Sequence, residues 1–393
     1  MAFVSQEYPP NTHGGIGTQT YLKAHGLANF GHEVTVVSHS PDKSKHEYDE
    51  GPVHVIRIPS FDERLPIYTE SARWLTYSAE VAVAVSELHA RSPLDIVDFP
   101  EWGGEGYIHL LNQTKWNHIP TVVHIHGPMV MFAHTMGWPE INSEFYRIGT
   151  EMEGTCLRLA DAIFSSSRCS ADWCAKHYSL VRNKIPIMHS GVDTHLFQPL
   201  DIPKETRPTI IFVGKIEQNK GVELLLEASC QLAKDYPNLR LRMLGGGNAA
   251  LTKKLKEKVR ASGLPDLLDL VGYVERQDLP AHLSRAHIFA APSIYEGGPG
   301  FVYLEAMACG LPVIACEGSG AAEVITPEEN GFLIPSGDVD ALTKTLHRLL
   351  SNQEERLEMG KRARRYVLRE ADSQICLKRL EAFYESVLSG ENK

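Results

Sequence analysis

The sequence predicts an α/β protein built of two Rossmann-like domains, and three observations carry that prediction. The chain has 393 residues, the length of two ordinary domains. Short β-branched runs alternate with helical stretches in both halves, which implies parallel sheets covered on both faces. Between residues 186 and 208 the texture breaks: "PIMHSGVDTHLFQPLDIPKETRP" has four prolines and no hydrophobic period, and reads as the joint between domains.

The first half opens with a strand, "AFVS", a loop, "QEYPPNTHGGIG", a helix-like "TQTYLKAHGLANF" stopped by Gly31, and a β-branched strand, "EVTVVS". "VHVIRI", "DIVDF", "PTVVHIH" and "DAIFSSS" follow as strands, most of them separated by helical stretches such as "AEVAVAVSELHAR". The second half repeats the grammar, with "TIIFVG", "LRLRML", "LLDLVG", "HIFAAPS", "LPVIAC" and "GFLIP" as strands. "GVELLLEASCQLAKDY" reads as an amphipathic helix with Val222, Leu225, Leu226, Ser229, Leu232 and Ala233 on one face. The expected boundaries are 1–195 for the first domain, 196–370 for the second and about 371–393 for a last helix.

Composition narrows the function. The chain is 43% hydrophobic and 22% charged, as an ordinary globular protein is, with a net charge of -10. The charge is -8 over residues 1–200 and -2 over the rest, so neither half carries the basic excess of a nucleic-acid binder. Seven scattered cysteines, with no C-x-x-C pair, read as reduced thiols of a cytoplasmic protein. No 18-residue apolar run predicts a membrane span, and "MAFVSQEYPP" is not read as a signal peptide. The basic runs "KKLKEKVR" and "KRARRYVLR" read as solvated helix faces, with peripheral membrane contact left open.

Five stretches could carry chemistry. In "NTHGGIGTQT", Gly14, Gly15 and Gly17 lead a strand into a helix, where bare N–H groups suit a phosphate; a plain tight turn reads equally well. In "FVGKIEQNKGVELLLEA", Lys215 and Lys220 flank a strand end and a helix start, and could both meet one diphosphate; two surface lysines are the bland alternative. "LRMLGGGN" allows close approach of another backbone or of a flat ligand. "IYEGGPGFVYLEAMACG" lies beyond the carboxyl end of "HIFAAPS", where open α/β sheets bind ligands. Its Glu305 opens a helix, and a carboxylate can accept both hydroxyls of a vicinal diol. A hydrolytic pair would need its carboxylates on opposite sides of a bond, whereas Glu296 and Glu305 share one loop and helix. In "PTVVHIHGPM", His126 ends a strand, and no third ligand with metal spacing accompanies His124 and His126.

In their order, "GGIG", "HIHG", "SGVDTHLFQP", "VGKIEQNKG", "LGGG" and "PSIYEGGPGFVYLEAMACGLPVIA" resemble the retaining glycosyltransferases of family 4 (glycosyltransferase group 1) from Gly14 to about Gly331. The resemblance implies the GT-B fold, two Rossmann-like domains facing across a cleft, with the last helix crossing back onto the first. It implies transfer of a hexosyl unit from a nucleotide-α-sugar, a UDP-sugar by default, to an acceptor hydroxyl as an α-glycoside. It sets Gly14, Gly15, Ile16 and Gly17 at the donor phosphates, His126 at the donor sugar and Lys215 and Lys220 on the diphosphate. Glu296 falls on the sugar, Glu305 on the ribose, and Gly298, Gly300, Phe301 and Val302 supply backbone nearby. Its partners are a nucleotide-sugar donor and a glycan, lipid-linked or small-molecule acceptor, with no metal or other cofactor expected. Trp102, Trp138 and Phe145 lie where this fold builds its acceptor side, and core packing explains them as well. The chain departs from the pattern in three places. Lys215 stands where arginine is usual, Ser190 where asparagine is common, and eight residues rather than seven separate Glu296 from Glu305. A bulge at Pro299 or Gly300 is expected. Three other readings stay open: an NAD-dependent oxidoreductase, a sugar-nucleotide epimerase and a non-catalytic sugar-nucleotide-binding protein of the same fold.

Overall fold

β-Branched and aliphatic runs buried on both faces form the middle of two parallel sheets, seen in a computed structural model that describes residues 1–10, 14–42, 44–59 and 66–391. Residues 11–13 of the first glycine loop lie outside the described residues. The chain divides into two compact units: Met1–His189 with Cys376–Lys393, and Ser190–Ile375. The division falls inside the proline-rich stretch.

Among the described residues unit 1 holds seven strands: β1 (Ala2–Ser5), β2 (Val34–His39), β3 (His46–Glu50), β4 (Val53–Ile58), β5 (Val97–Pro100), β6 (Thr121–Ile125) and β7 (Ala162–Ser165). Its helices are α1 (Gly15–Asn29), α2 (Glu70–Arg91), α3 (Tyr107–Leu111), α4 (Met129–Met136), α5 (Glu144–Leu159) and α6 (Arg168–His177). The strand order is β3-β4-β2-β1-β5-β6-β7, parallel except for β3 against β4. The order reverses between β1 and β5, so their carboxyl-end loops diverge and leave a crevice. β3 escapes the sequence reading because "HEYDE" is exposed and charged, as an edge strand that must not pair with a neighbouring molecule should be.

Unit 2 repeats the design with β8 (Thr209–Val213), β9 (Arg240–Leu244), β10 (Leu268–Gly272), β11 (Ile288–Ala290), β12 (Val313–Cys316) and β13 (Gly331–Ile334). Its helices are α7 (Val222–Leu232), α8 (Ala249–Ala261), α9 (Leu279–Arg285), α10 (Phe301–Ala308), α11 (Val339–Ser351) and α12 (Gln353–Tyr366). All pairs are parallel in the order β10-β9-β8-β11-β12-β13, which reverses between β8 and β11. The predicted face of α7 is buried, from Val222 to Leu232.

The last helix, α13 (Ser373–Ser389), packs on unit 1. Gly26 of α1 lets it come close, since a Cβ there would sit 2.3 Å from Leu377 Cδ1. Its Tyr384 hydroxyl donates to Asp98 Oδ2, and Asp98 Oδ1 accepts from Lys23 Nζ at 2.8 Å. Lys23 also reaches His124 Nδ1 at 3.2 Å, and His124 Nε2 meets Ser166 Oγ at 2.8 Å. This chain of polar groups is buried, and each member depends on the next for its partner. Tyr384→Phe removes one donor to a buried carboxylate, a loss of about 1.5–3 kcal/mol. The expected result is a melting point lower by several degrees in calorimetry, and an unchanged one would show that the helix docks by apolar contact alone.

Candidate functional site

In unit 2 the strand order brings the loops after β8 and β11 to one place. The β8 loop carries Lys215, which is exposed, and Lys220, which ends a single 3-10 turn before α7. Gly221 follows in the left-handed region, at φ +69, and a Cβ there would lie 2.1 Å from the Pro292 carbonyl oxygen. Only glycine permits that approach. The two loops are stitched together, for Ile294 N–H donates to Asn219 O at 2.9 Å and Ser293 Oγ to the same oxygen at 3.2 Å. The result is an ion pair between Lys220 Nζ and Glu296 Oε1 at 2.7 Å, with both side chains partly open to solvent. Solvent reaches both groups, so an anionic ligand can take the place of the Glu296 carboxylate beside Lys220.

Residues 297–300 of the loop between Glu296 and Glu305 precede α10. Gly300 caps that helix at φ +69, and the loop rests on Gly320, whose N–H donates to Glu296 O at 2.8 Å. A Cβ on Gly320 would fall 2.4 Å from Gly298 O. Glu296 therefore meets Lys220 despite the longer loop. Phe301 and Val302, in the first turn of α10, are half-buried, and Glu305 is 2% exposed. Burial raises the Glu305 pKa, and the Arg276 guanidinium, 2.7 Å away, opposes that rise. Two of the three glycines after β9 serve close approach of backbone: a Cβ on Gly245 would fall 2.0 Å from Gly214 O, and one on Gly247 2.4 Å from Ile216 O.

In unit 1 the glycine loop enters α1 without a side-chain cap. Gly15 is open to solvent, Ile16 is half-buried and Gly17 is buried. A Cβ on Gly14 would collide with the Glu7 carboxylate, 1.9 Å from Oε2. An anion approaching this helix end therefore meets one negative side chain as well as the open N–H groups. His126 follows β6 and is nine-tenths buried. Burial, aided by Lys23, holds its pKa well below the ordinary value, so the ring is neutral.

The sequence reading missed three buried glutamates that hold these loops. Glu101 accepts the N–H groups of His126, at 2.8 Å, and of Gly127. Glu153 accepts from Met129 N–H at 3.0 Å and from the Tyr178 hydroxyl at 2.7 Å. Glu105 receives Gln6 N–H on both oxygens, at 2.9 and 3.0 Å. Burial pushes Glu101 up to about 7 and Glu105 up to about 8, against those N–H donors. "DFPEWGGEG", two acids straight after a buried strand, was the signal available.

Trp102 and Phe145 join Trp74 in an aromatic cluster, with ring centroids 5.8 and 4.9 Å from it, while Trp138 is 53% exposed. Two lysines of α8 pair with α7: Lys254 meets Glu223 at 2.5 Å and Lys258 meets Glu227 at 2.9 Å. Among the described residues no helix is long and apolar enough to cross a membrane, and no group of three or more His, Cys, Asp or Glu side chains could hold a metal.

Comparison with known proteins places this geometry. Residues 13–196 match "Glycosyltransferase Family 4" and residues 197–366 match "Glycosyl transferases group 1". A GDP-mannose-dependent alpha-(1-6)-phosphatidylinositol monomannoside mannosyltransferase of Mycolicibacterium smegmatis is 28% identical, with 94% of each chain covered. The MMP alpha-(1->4)-mannosyltransferase of Mycolicibacterium hassiacum is 27% identical over 99% of each. Among solved structures, the sucrose-phosphate synthase of Thermosynechococcus elongatus superposes with a TM-score of 0.84 over 99% of both chains at 22% identity, which shows the GT-B fold.

The raised pKa of Glu105 makes stability depend on pH. An unfolded glutamate titrates near ~4.3, so the folded chain binds this proton more tightly. The stability it contributes is full below that value and lost as pH rises through about 8. The melting point should fall between pH 6.5 and 8.5, and fall less in Glu105→Gln, which cannot ionise. Equal falls in both proteins would exclude Glu105 as the source.

Proposed function

The chain belongs to the group 1 glycosyltransferases of family 4, and from that premise we propose that it moves a mannosyl unit from GDP-mannose to an acceptor hydroxyl with retention of the α configuration. The observation that carries the reading is the Lys220–Glu296 pair, set where the order of the second sheet reverses. A cation beside a glycine-spaced helix start suits a diphosphate, and the carboxylate that now neutralises it suits the hydroxyls of the sugar. Sequence alone made uridine the default base. The Mycolicibacterium smegmatis relative is GDP-mannose-dependent, and that moves guanosine ahead of uridine for this chain.

The transfer follows from the charges. The bond from the anomeric carbon to the diphosphate breaks, and its electron pair goes to the leaving phosphate oxygen. Lys220, with the exposed Lys215, meets that charge. The acceptor hydroxyl bonds to the same face of the carbon and passes its proton to the departing phosphate. This scheme uses no protein nucleophile and no metal. The resemblance gives His126 a place beside the donor sugar. There its neutral ring offers a hydrogen bond rather than a positive charge. Glu101, which accepts the His126 and Gly127 N–H groups, fixes the direction of that ring's backbone. The acceptor belongs to the class of glycan or lipid-linked hydroxyls, as the phosphatidylinositol mannoside of the relative does.

The test is nucleotide release from GDP-mannose, UDP-glucose and ADP-glucose with mixed acceptors, with NAD as the control ligand. GDP should be released at least about tenfold faster than the others, and Lys220→Ala should lower kcat/KM on the order of a hundredfold, the loss seen when one preorganised charge contact is removed. Full activity in a folded Lys220→Ala protein would remove the lysine from the mechanism, and release of UDP alone would change the base.

A further inference from the structure

Arg276 lies in the single turn after β10 and reaches the side chain of Glu305 on α10. The guanidinium lies near two rings, with its central carbon 5.1 Å from the centroid of Phe197 and 5.9 Å from that of Phe301. Phe197 is fully buried, and the ring contacts limit where the arginine can go. The ion pair is short, 2.7 Å between Arg276 Nη2 and Glu305 Oε1, yet these two buried atoms are not aligned for a hydrogen bond with each other or with any other protein atom. The contact is thus one of charge, and the carboxylate keeps hydrogen-bonding capacity to spare in a place where an unmade bond is costly.

We propose that Arg276 is a positioning residue for the nucleoside, holding the Glu305 carboxylate ready to accept both ribose hydroxyls and so making the site select ribonucleotides over 2′-deoxyribonucleotides. The inference rests on the donor reading above. Two O–H donors need two free acceptor oxygens, which an ionised carboxylate has and a protonated one lacks. Burial favours the protonated form of Glu305, and the guanidinium is the charge that opposes it. The other titratable groups around it do not replace Arg276. Cys309, one turn further along α10, is pushed up to about 12 by burial and stays a thiol. Arg364 of α12 is engaged with the carbonyl oxygens of Phe197 and Ala308. A purely structural pair would have no reason to leave its oxygen unsatisfied, and a glutamine in place of Glu305 would avoid the buried charge.

The experiment is calorimetric titration of the full chain with GDP and with 2′-deoxy-GDP between pH 5.5 and 8.5, for wild type, Arg276→Gln and Arg276→Lys. Wild type should bind GDP at least about tenfold tighter than 2′-deoxy-GDP, as a site built around a hydroxyl does. Arg276→Gln should lose most of that ratio, and the acid limb of its GDP binding should move to higher pH because Glu305 keeps its proton longer. Arg276→Lys should restore much of both. In turnover the loss should fall on the KM for the donor rather than on kcat. A wild-type ratio and pH limb in folded Arg276→Gln would overturn the proposal. If Arg276→Gln does not fold, Glu305→Gln serves instead: it should lose the ratio and show no acid limb, and retention of either would overturn it. Failure of wild type to bind GDP or UDP would overturn the donor reading itself, and is told apart by appearing before any substitution is made.

Discussion

Lys220 and Glu296 meet at 2.7 Å because the second sheet is doubly wound. β8 and β11 are neighbours in space, but the chain leaves them for opposite sides of the sheet, so their exit loops part and expose a crevice at the carboxyl ends. Everything that makes the site polar follows from that. Gly221 must be glycine for the two loops to touch, Gly320 must be glycine for the longer loop to rest on the next strand's exit, and the cation and the carboxylate are then left facing each other. The pair is partly open to solvent, which screens it and lets a ligand reach it. It is well suited to be exchanged for a ligand whose phosphate takes the lysine and whose hydroxyls take the glutamate.

The first unit solves a different problem with the same reversal of strand order. Its loops after β5 and β6 are held by carboxyl groups buried beneath them, Glu101 and Glu153, that accept backbone N–H groups. Carboxylates so placed fix loop shape at the cost of desolvation, and their raised pKa values record that cost. The neutral His126 and the Glu7 carboxylate against Gly14 make this crevice less cationic than the one in unit 2. In unit 2 the β8 loop carries two cations, Lys215 and Lys220.

The parts legible in the sequence were those with a period or a spacing. The two parallel sheets could be read because buried strands are β-branched runs, and α7 because its apolar residues recur on one face. The lysines and glutamates flanking glycines could be read because glycine marks where backbone or ligand must come close. The edge strand β3 was hidden by its charge. Glu101, Glu105, Glu153 and the pairing of Arg276 with Glu305 were hidden because each joins residues far apart in the chain, and one sequence does not carry the contact. The contact of the Glu296 loop with Gly320, on the far side of β12, was also beyond the sequence.

The central claim is that Lys220 and Glu296 together bind the donor. A crystal structure of the chain with GDP-mannose tests it most directly. The account predicts that Lys220 Nζ leaves Glu296 for a phosphate oxygen, within ~3 Å, and that Glu296 turns to the hydroxyls of the mannose while Glu305 takes the ribose. A bound donor with the Lys220–Glu296 pair intact, or a nucleotide seated away from both residues, would contradict it.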